Sequence, residues 1–209
     1  MTKVYVIGRE QGYEEMYRSR GWDIVDSVES SDLVQFTGGE DVSPMLYGEE
    51  AHWATHANSD RDQREMVIYN EAKRLEIPMV GICRGGQFLH VMNGGDLWQH
   101  VHNHAIGGTH EAIDQVSGII VDVTSTHHQM MRMNDGNGVV VLKADTISPY
   151  KEKRTGGFID SVRDEDDIEA VWYEDTRCFC FQPHPEFRGY APCTNYFFMK
   201  IEELLGLSA

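Results

Sequence analysis

Short apolar runs rich in β-branched residues alternate with longer amphipathic stretches along most of the chain. The runs predict strands at residues 4–7, 24–28, 32–37, 77–80, 119–123, 139–142, 168–172 and 178–182. The amphipathic stretches predict helices over residues 11–20, 60–75, 84–93 and 195–205, with Asp60 as the N-cap of the second helix. Strands that alternate with helices are typical of an open, mostly parallel sheet. The pattern therefore predicts an α/β fold.

Two segments depart from this alternation. Residues 99–125 form a short connection that contains Gly107 and Gly108 and shows few sheet elements before residue 119. Residues 160–167 are rich in charge, and such a stretch is most simply a solvated turn.

Composition limits the size and surroundings of the fold. With 209 residues, 41% of them hydrophobic, the chain can bury a sizeable core, and we expect a single domain over residues 1–209. The N-terminus has no basic segment followed by an apolar one, and no run reaches membrane-spanning length, so we expect a cytoplasmic protein that contacts no membrane. A formal net charge of −16 argues against nucleic-acid binding, which needs clustered Lys and Arg. Small molecules or a protein partner are the expected ligands.

Cys83 occupies the most informative position in the chain. It follows the apolar run at residues 77–80, has Gly81 on one side and Gly85 and Gly86 on the other, and precedes a predicted helix. Glycines allow a sharp turn and a close approach of a substrate carbonyl, and the positive end of a helix favours a thiolate. A buried structural cysteine needs none of these features. The pattern therefore predicts a nucleophile.

A base and an orienting carboxylate occur about a hundred residues downstream. His184 and Glu186 flank a proline just after the predicted strand at residues 178–182. A nucleophilic cysteine needs a histidine within hydrogen-bond reach, and the histidine is commonly held by a third polar group. The chain therefore offers all three members of a Cys-His-Glu triad.

The remaining cysteines and histidines have simpler interpretations. Cys178, Cys180 and Cys193 lack zinc-type spacing and are expected to be reduced core or surface thiols without chemistry. His100, His102, His104 and His110 could meet a metal ion from one strand face, but we expect a solvated histidine cluster and no metal. For His127 and His128, a packed or solvated pair and a substrate-lining pair both remain open.

Several ordered blocks carry a family resemblance. The chain resembles class I glutamine amidotransferase domains, and within them the γ-glutamyl-γ-aminobutyrate hydrolase branch, peptidase C26. The blocks are the Gly-Gly segment at 37–49, the acidic helix start at 60–65, the nucleophile segment at 77–87, the turn at 94–99, the Ser-Thr-His-His-Gln segment at 125–129, and the closing segments at 168–171 and 184–186.

The resemblance implies a fold and a set of roles. The fold is a flavodoxin-like open sheet with helices on both faces. Cys83 would be the nucleophile, His184 the base and Glu186 its orienting partner, while the backbone N–H groups of Gly39 and Arg84 would form the oxyanion hole. The residues implied to contact the substrate are Gly38, Gln87, His127, His128 and Gln129.

Two enzyme classes follow from the resemblance. The first is a self-sufficient hydrolase that cleaves glutamine or another γ-glutamyl amide through a thioester. The second is a glutaminase subunit that passes ammonia to a separate synthetase or ligase, since the sequence contains no phosphate-binding loop of the G-x-x-x-x-G-K-[ST] type. Neither class implies a cofactor. The block at residues 37–49 favours the hydrolase.

Overall fold

The computed structural model describes residues 1–134, 136–145, 148–162 and 165–208. The helices are α1 (Gln11–Arg18), α2 (Ser59–Arg74), α3 (Arg84–Met92) and α4 (Ala191–Leu205). The strands are β1 (Lys3–Val6), β2 (Asp23–Val25), β3 (Leu33–Phe36), β4 (Met79–Ile82), β5 (Asp96–Trp98), β6 (His100–Val101), β7 (Ala105–Asp114), β8 (Ile120–Thr126), β9 (Met130–Arg132), β10 (Val139–Ala144), β11 (Lys151–Thr155), β12 (Phe158–Val162), β13 (Ile168–Tyr173) and β14 (Cys178–Phe181). Short 3-10 helices lie at Ile7–Arg9, Val28–Ser30 and Pro44–Tyr47.

A central sheet runs in the order β2-β1-β3-β4-β14-β13-β10-β7-β8. The first five of these strands pair in parallel. From β14 onwards the pairs are antiparallel, and β9 and β5 join the sheet through β13. Because parallel strands point the same way, β3, β4 and β14 end at the same edge of the sheet. The predicted α/β fold with an open, mostly parallel central sheet is confirmed, and antiparallel strands extend it.

Helices cover both faces of the parallel half. On one face, α1 and α4 contribute Tyr17 and Phe197 to a core that also contains Val4 and Phe181. On the other face, α2 and α3 contribute Tyr69 and Phe88 to a second core. The two layers hold the parallel strands rigidly between them, as the resemblance implied. Within the described residues, no helix is both long and apolar enough to cross a membrane.

The start of α2 differs from the prediction. Asn58 has an extended backbone and its side chain accepts a hydrogen bond from the Arg61 N–H at 3.1 Å, so Asn58 is the N-cap. The assignment of Asp60 as the cap was wrong, because Asp60 already lies in the first helical turn. An acidic residue is also favourable there, since the N-terminal end of a helix carries partial positive charge.

The segment between residues 99 and 125 is richer in strands than expected. It contains β6, the ten-residue strand β7 and most of β8, and β7 pairs with β8 along most of its length. The prediction failed because the first half of β7 is exposed or half-buried on both faces, so it shows no period-two pattern. A register shift between Ala105 and Gly108 interrupts the pairing as well.

The charge-rich stretch at 160–167 is mostly exposed over its described part, as expected, but residues 160–162 belong to β12 rather than to a turn. Asp160 lies in β12 opposite Lys153 of β11. Asp167 is fully buried, with Oδ1 2.7 Å from Nζ of the equally buried Lys151. Residues 163–164 lie outside the described residues. The expectation of a solvated charge run is therefore wrong for Asp167, which is buried in an ion pair.

Candidate active site

Cys83 lies in a sharp turn between β4 and α3. Its backbone angles are φ 52° and ψ −115°, a left-handed conformation that a residue with a side chain rarely adopts. The Cys83 N–H donates to the Phe181 carbonyl at 2.8 Å, and the Cys83 carbonyl accepts from the Gln87 N–H at 3.0 Å. The turn is therefore fixed to both the neighbouring strand and the first turn of the helix. Cys83 itself is only half-buried.

The glycines beside Cys83 are required by close backbone packing. A Cβ atom at Gly81 would overlap the backbone of Gly85, and a Cβ atom at Gly85 would overlap the carbonyl of Phe36. At Gly86 it would lie 2.9 Å from the backbone of Phe181. The start of α3 thus packs directly on β3, β4 and β14, which no residue with a side chain would permit.

His184 and Glu186 follow β14, the strand next to β4. The His184 Nδ1 lies 2.6 Å from Glu186 Oε1. The His184 backbone N–H donates to Thr124 Oγ1 at 2.6 Å, and its ring stacks on Phe187 with ring centres 4.5 Å apart. Since a carboxylate only accepts, Nδ1 carries the proton of this bond, which leaves Nε2 for other chemistry.

The environment of His184 favours its charged form. Burial by itself lowers the pKa of this imidazole. The hydrogen bond to Cys83 and the charge on Cys83 raise it, and the hydrogen bond and charge of Glu186 raise it further, so that the pKa is about 10. His184 therefore stays protonated at neutral pH beside the sulfur. A protonated imidazole is the partner that stabilises a thiolate.

Gly38 lies against Cys83, His184 and Tyr13 of α1, and Gly39 lies against Arg61 of α2. A Cβ atom at Gly38 would lie 3.0 Å from His184 Cε1 and 3.7 Å from Cys83 Cβ, so both residues converge on this glycine. The Gly38 N–H donates to the Tyr13 hydroxyl at 2.9 Å. Gly39 has a φ of 134°, and a Cβ there would overlap the guanidinium of Arg61. A side chain at Gly38 would therefore displace the groups around Cys83, and one at Gly39 would displace the Arg61 guanidinium.

The Arg84 side chain is turned away from solvent. Arg84 is 1% exposed, and its guanidinium forms ion pairs with Asp62 and Glu65 of α2. The side chain therefore fixes α3 to α2. The Arg84 backbone N–H is at the first position of α3, where helical N–H groups have no partner within the helix.

A cavity of about 200 Å³ opens beside Cys83. Its lining consists of Gly39, Glu40, Asp41, His56, Cys83, Arg84, Gln87, Thr126, His127, His128 and Gln129. It brings together the residues predicted from the sequence to contact substrate, except Gly38, which lies between Cys83 and His184. Two larger cavities, of about 510 and 750 Å³, lie beside α1 and the segment after Glu186, but Cys83 lines neither.

The side chains that line the cavity differ in their exposure and in whether their polar atoms already have hydrogen-bond partners. Both N–H donors of the Gln87 amide are directed at protein acceptors, the Gln129 carbonyl and Gln182 Oε1, each at 3.1 Å. His127 is buried and its Nδ1 lies 2.9 Å from the Gln129 carbonyl, which makes it a packed histidine. His128 is half-buried, with Nε2 3.1 Å from Asp41 Oδ1. Of the two histidines, His128 has the more accessible ring.

Several residues of this site were not predicted from the sequence. Asp41 accepts from the His56 N–H at 2.8 Å through its second oxygen, and so joins His56 and His128 in the wall of the cavity. Asp41 lay within the Gly-Gly block, but its role was not assigned. His56 and Thr124 gave no signal, because each is positioned only by the folded chain.

The other cysteines are buried and free. Burial raises the pKa of Cys178 to about 11 and that of Cys193 to about 12, and raises the pKa of Cys180 as well. Together with Cys83 they form no disulfide. They are core thiols that stay protonated at neutral pH.

The histidines of the 100–110 segment do not form a solvated cluster. His104 is 2% exposed and the His110 side chain is mostly buried, so that prediction was wrong for both. His104 Nε2 lies 2.7 Å from Asp167 Oδ2. His100 and His102 are half-buried, and their rings meet at 4.9 Å. His104 and His110 are buried because their rings pack against Glu169 of β13.

Comparison with known proteins places this chain in a family. A model of the Peptidase C26 family matches residues 18–186. The chain belongs to the peptidase C26 family. A Mycobacterium tuberculosis protein provisionally named glutamine amidotransferase Rv2859c is 33% identical to it over 56% of this chain and 44% of that protein. A glutamine amidotransferase-like YvdE homolog of Lactococcus lactis subsp. cremoris is 36% identical over 50% of this chain and 53% of that protein. The matches thus span about half the length of these relatives.

Solved structures share the fold of this peptidase C26 member. A glutamine amidotransferase of Thermotoga maritima superposes with a TM-score of 0.61 at 16% identity, over 98% of this chain and 84% of that one. The PurLQS structure from Thermotoga maritima gives a TM-score of 0.62 at 15% identity, over 98% of this chain and 100% of that one. The class I glutamine amidotransferase-like fold implied by the sequence is confirmed.

Proposed function

We propose that this peptidase C26 member hydrolyses γ-glutamyl amides through a thioester on Cys83. The observation that supports it most directly is the convergence of Cys83 and His184 on Gly38, with His184 Nδ1 held 2.6 Å from Glu186. A nucleophile, a base and an orienting carboxylate in this order satisfy the requirements for cysteine-based acyl transfer. The substrate is glutamine or a γ-glutamyl amine.

Acylation begins with the Cys83 thiolate. The sulfur attacks the γ-carbonyl carbon, a C–S bond forms, and the carbonyl π electrons move to oxygen. When the tetrahedral intermediate collapses, the C–N bond breaks and His184 gives its proton to the departing amine or ammonia. The γ-glutamyl thioester and neutral His184 remain.

Deacylation reverses the role of His184. The imidazole takes a proton from water, the resulting hydroxide attacks the thioester carbon, and the C–S bond breaks to release glutamate and the thiolate. His184 is then protonated again, which restores the starting state. Glu186 holds the imidazole in the tautomer that both steps need.

The negative oxygen of each intermediate requires fixed donors. The N–H groups of Gly39 and Arg84 are proposed for this role, because both residues line the cavity that contains Cys83. Arg84 is anchored by its buried ion pairs with α2, so its N–H needs little reorganisation during the reaction. The open backbone at Gly39 allows the substrate oxygen to approach.

The cavity suits a small cationic amino-acid group. Its volume of about 200 Å³ is below that of pockets for larger ligands. Glu40 and Asp41 contribute carboxylates to its lining, and these attract the α-ammonium group of a γ-glutamyl substrate. Gln87 can contribute only its carbonyl oxygen, because its N–H donors are engaged.

Turnover by the purified chain tests this proposal. Release of glutamate and amine would be followed with glutamine, γ-glutamyl anilide and aliphatic γ-glutamyl amines. A stand-alone hydrolase is expected to process at least one of them on the order of 1 to 1000 times per second. Cys83→Ala serves as the inactive control. Equal rates for wild type and Cys83→Ala would contradict the proposal.

The second candidate is a glutaminase subunit that serves a separate synthetase or ligase. The provisional glutamine amidotransferase names of the relatives favour it. Such a subunit is commonly held in an incomplete geometry until its partner docks. An isolated chain that reacts with a glutamine analogue at Cys83 but turns over no amide, and that gains glutaminase activity with a co-purified ligase, would replace the first candidate by this one.

A further inference from the structure

Four side chains from the antiparallel half of the sheet converge on one buried point. His104 precedes β7, His110 lies within β7, His127 follows β8, and Glu169 belongs to β13. Glu169 is fully buried. Its Oε1 lies 3.3 Å from His104 Nδ1, 3.2 Å from His110 Nε2 and 3.5 Å from His127 Nε2. Three ring nitrogens therefore face a single carboxylate oxygen.

None of these converging atoms forms a well-aligned hydrogen bond. Both oxygens of Glu169 and the inward nitrogens of the three histidines are buried and unpartnered. Buried polar atoms in folded proteins are almost always satisfied. A group of them aimed at one another indicates a missing component between them.

The outward nitrogens of two rings are already engaged. His104 Nε2 lies 2.7 Å from Asp167 Oδ2, and Asp167 is in turn held by Lys151. His127 Nδ1 lies 2.9 Å from the Gln129 carbonyl. Because a carboxylate and a carbonyl can only accept, each outward nitrogen carries a proton, and each inward nitrogen of a neutral ring presents a lone pair to Glu169.

Lone pairs that face a carboxylate repel it unless positive charge lies between them. One solution is to protonate His104 and His127, but this would bury two cations side by side, with their ring centres only 4.8 Å apart. A divalent cation is the other solution, and it needs neutral imidazoles and an ionised carboxylate. The outward hydrogen bonds are also those that orient metal-binding histidines.

We propose that His104, His110, His127 and Glu169 bind a structural Zn²⁺ ion. Zn–N and Zn–O bonds of about 2.0–2.2 Å in a tetrahedron place neighbouring ligand atoms about 3.3 Å apart. The three distances from Glu169 Oε1, 3.2 to 3.5 Å, agree with this spacing. The inward ligand atoms of His104, His110 and Glu169 all lie within 4.8 Å of one another and form the centre of the site, and His127 joins it through its Nε2, 3.5 Å from Glu169 Oε1.

The donor set specifies both the metal and its role. Three imidazoles and a carboxylate favour zinc over magnesium or calcium, which prefer oxygen ligands. Four protein ligands complete a tetrahedron and leave no open position, as in structural zinc sites. The ion would fix the β7–β8 hairpin to β13, and with it His127, which lines the cavity beside Cys83. None of the four proposed ligands is Cys83, His184 or Glu186.

Metal binding by tag-free wild-type protein provides the first test. After chelator treatment and its removal, the protein would be titrated with Co²⁺, whose visible bands are intense in tetrahedral and weak in octahedral sites. A single equivalent should produce intense bands that Zn²⁺ abolishes, and Zn²⁺ should raise the melting temperature in a concentration-dependent manner. Folded protein that produces no such bands and retains no zinc would overturn the proposal.

Two ligand variants and a matched control locate the ion. His110→Ala, at the most exposed ligand, and the isosteric Glu169→Gln should each weaken Co²⁺ binding on the order of 100-fold or more. His102→Ala, in the same segment but outside the four ligands, should bind as wild type. Wild-type binding by both ligand variants, or a loss only in His102→Ala, would place the metal elsewhere and overturn the proposal.

Folding of the variants would be checked by circular dichroism. Should either ligand variant fail to fold, anomalous scattering at the zinc edge from zinc-loaded wild-type crystals decides the question. A peak within bonding distance of the four ligand atoms supports the site, and its absence there overturns it. These readouts require no turnover, so a failed metal site and a failed hydrolase proposal remain distinguishable.

Discussion

His184 Nδ1 lies 2.6 Å from Glu186 Oε1, and only one residue separates the two in the sequence. The intervening Pro185 restricts the backbone between them, because a proline ring fixes φ. The pairing is therefore local and does not depend on a distant segment. The same turn positions the His184 backbone N–H against Thr124, so β8 also holds the imidazole in place.

Glu186→Gln should reduce the maximal rate on the order of 10²- to 10⁴-fold while leaving the fold intact, because the amide can also present an N–H group to Nδ1 and so no longer fixes one tautomer of the imidazole. The carboxylate also helps to raise the pKa of His184 to about 10. Its removal should therefore shift the alkaline limb of the pH–rate profile to lower pH. Stopped-time assays across pH would measure both effects. An unshifted profile with a wild-type rate would reassign the orienting role to another acid.

Cys83→Ala should abolish turnover, and Cys83→Ser should be nearly as inactive, because a hydroxyl is far less ionised than a thiol at neutral pH. A glutamine analogue bearing a diazoketone should add mass to the peptide that contains Cys83. The buried Cys178, Cys180 and Cys193 should remain unmodified, since burial raises the pKa of each. Modification that persists in Cys83→Ala would refute the assignment of the nucleophile.

Gly38→Ala should impair catalysis more than stability. The added methyl group would lie 3.0 Å from His184 Cε1 and 3.7 Å from Cys83 Cβ, so it would push the imidazole away from the sulfur. A displacement of the imidazole by about 1 Å is expected to reduce the rate about 100-fold. Gly108→Ala is the matched control, because its nearest neighbour would be 3.9 Å away. Comparable activity of the two variants would show that Gly38 does not limit the site.

The local part of the site could be predicted from the sequence. The turn at Cys83 follows from the steric freedom of its glycines, and the strands on either side of β4 follow from the apolar pattern of short segments. Because parallel strands end at the same edge, the placement of His184 near Cys83 followed once β14 was expected to join the sheet. The single domain over residues 1–209 remains a prediction, which one cooperative unfolding transition would support.

The contacts between distant segments could not be predicted. Asp41 and His128 are 87 residues apart, and their pairing depends on how the β7–β8 extension returns to the edge of the sheet. The burial of His104 and Asp167 has the same origin, since polar residues on a hidden face give no apolar period. Polar residues from distant segments that form hydrogen bonds with each other only in the folded chain have no signature in a single sequence.

The buried ion pairs of Arg84 should contribute strongly to stability. Glu65→Gln would leave the nearly inaccessible guanidinium with one fewer carboxylate, at a cost of about 3 kcal/mol in the free energy of unfolding. Glu71→Gln, the same substitution on the same helix, removes a half-buried carboxylate 3.7 Å from the exposed Arg74 and should cost less than about 0.5 kcal/mol. Urea unfolding of both variants measures the difference. Equal losses would show that Glu65 does not anchor Arg84.

His90 should make the protein less stable in mild acid. Complete burial lowers its pKa to about 4 from 6.5, although hydrogen bonds to backbone carbonyls oppose the shift. Between these values the unfolded chain binds a proton that the folded chain does not. The stability contribution is therefore complete above about pH 6.5 and declines as the pH falls towards 4, by at most about 3 kcal/mol.

Comparison with His90→Gln isolates this effect. The variant lacks the titrating ring, so its deficit in the free energy of unfolding relative to wild type should shrink between about pH 7.5 and about pH 4.5. Tyr173→Phe removes the hydroxyl that lies 2.8 Å from His90 Nδ1 but keeps the ring, and should retain the wild-type dependence on pH. Urea unfolding at several pH values measures all three proteins. Parallel stability curves for wild type and His90→Gln would mean that His90 takes up its proton without unfolding, and that its burial is not what limits stability in acid.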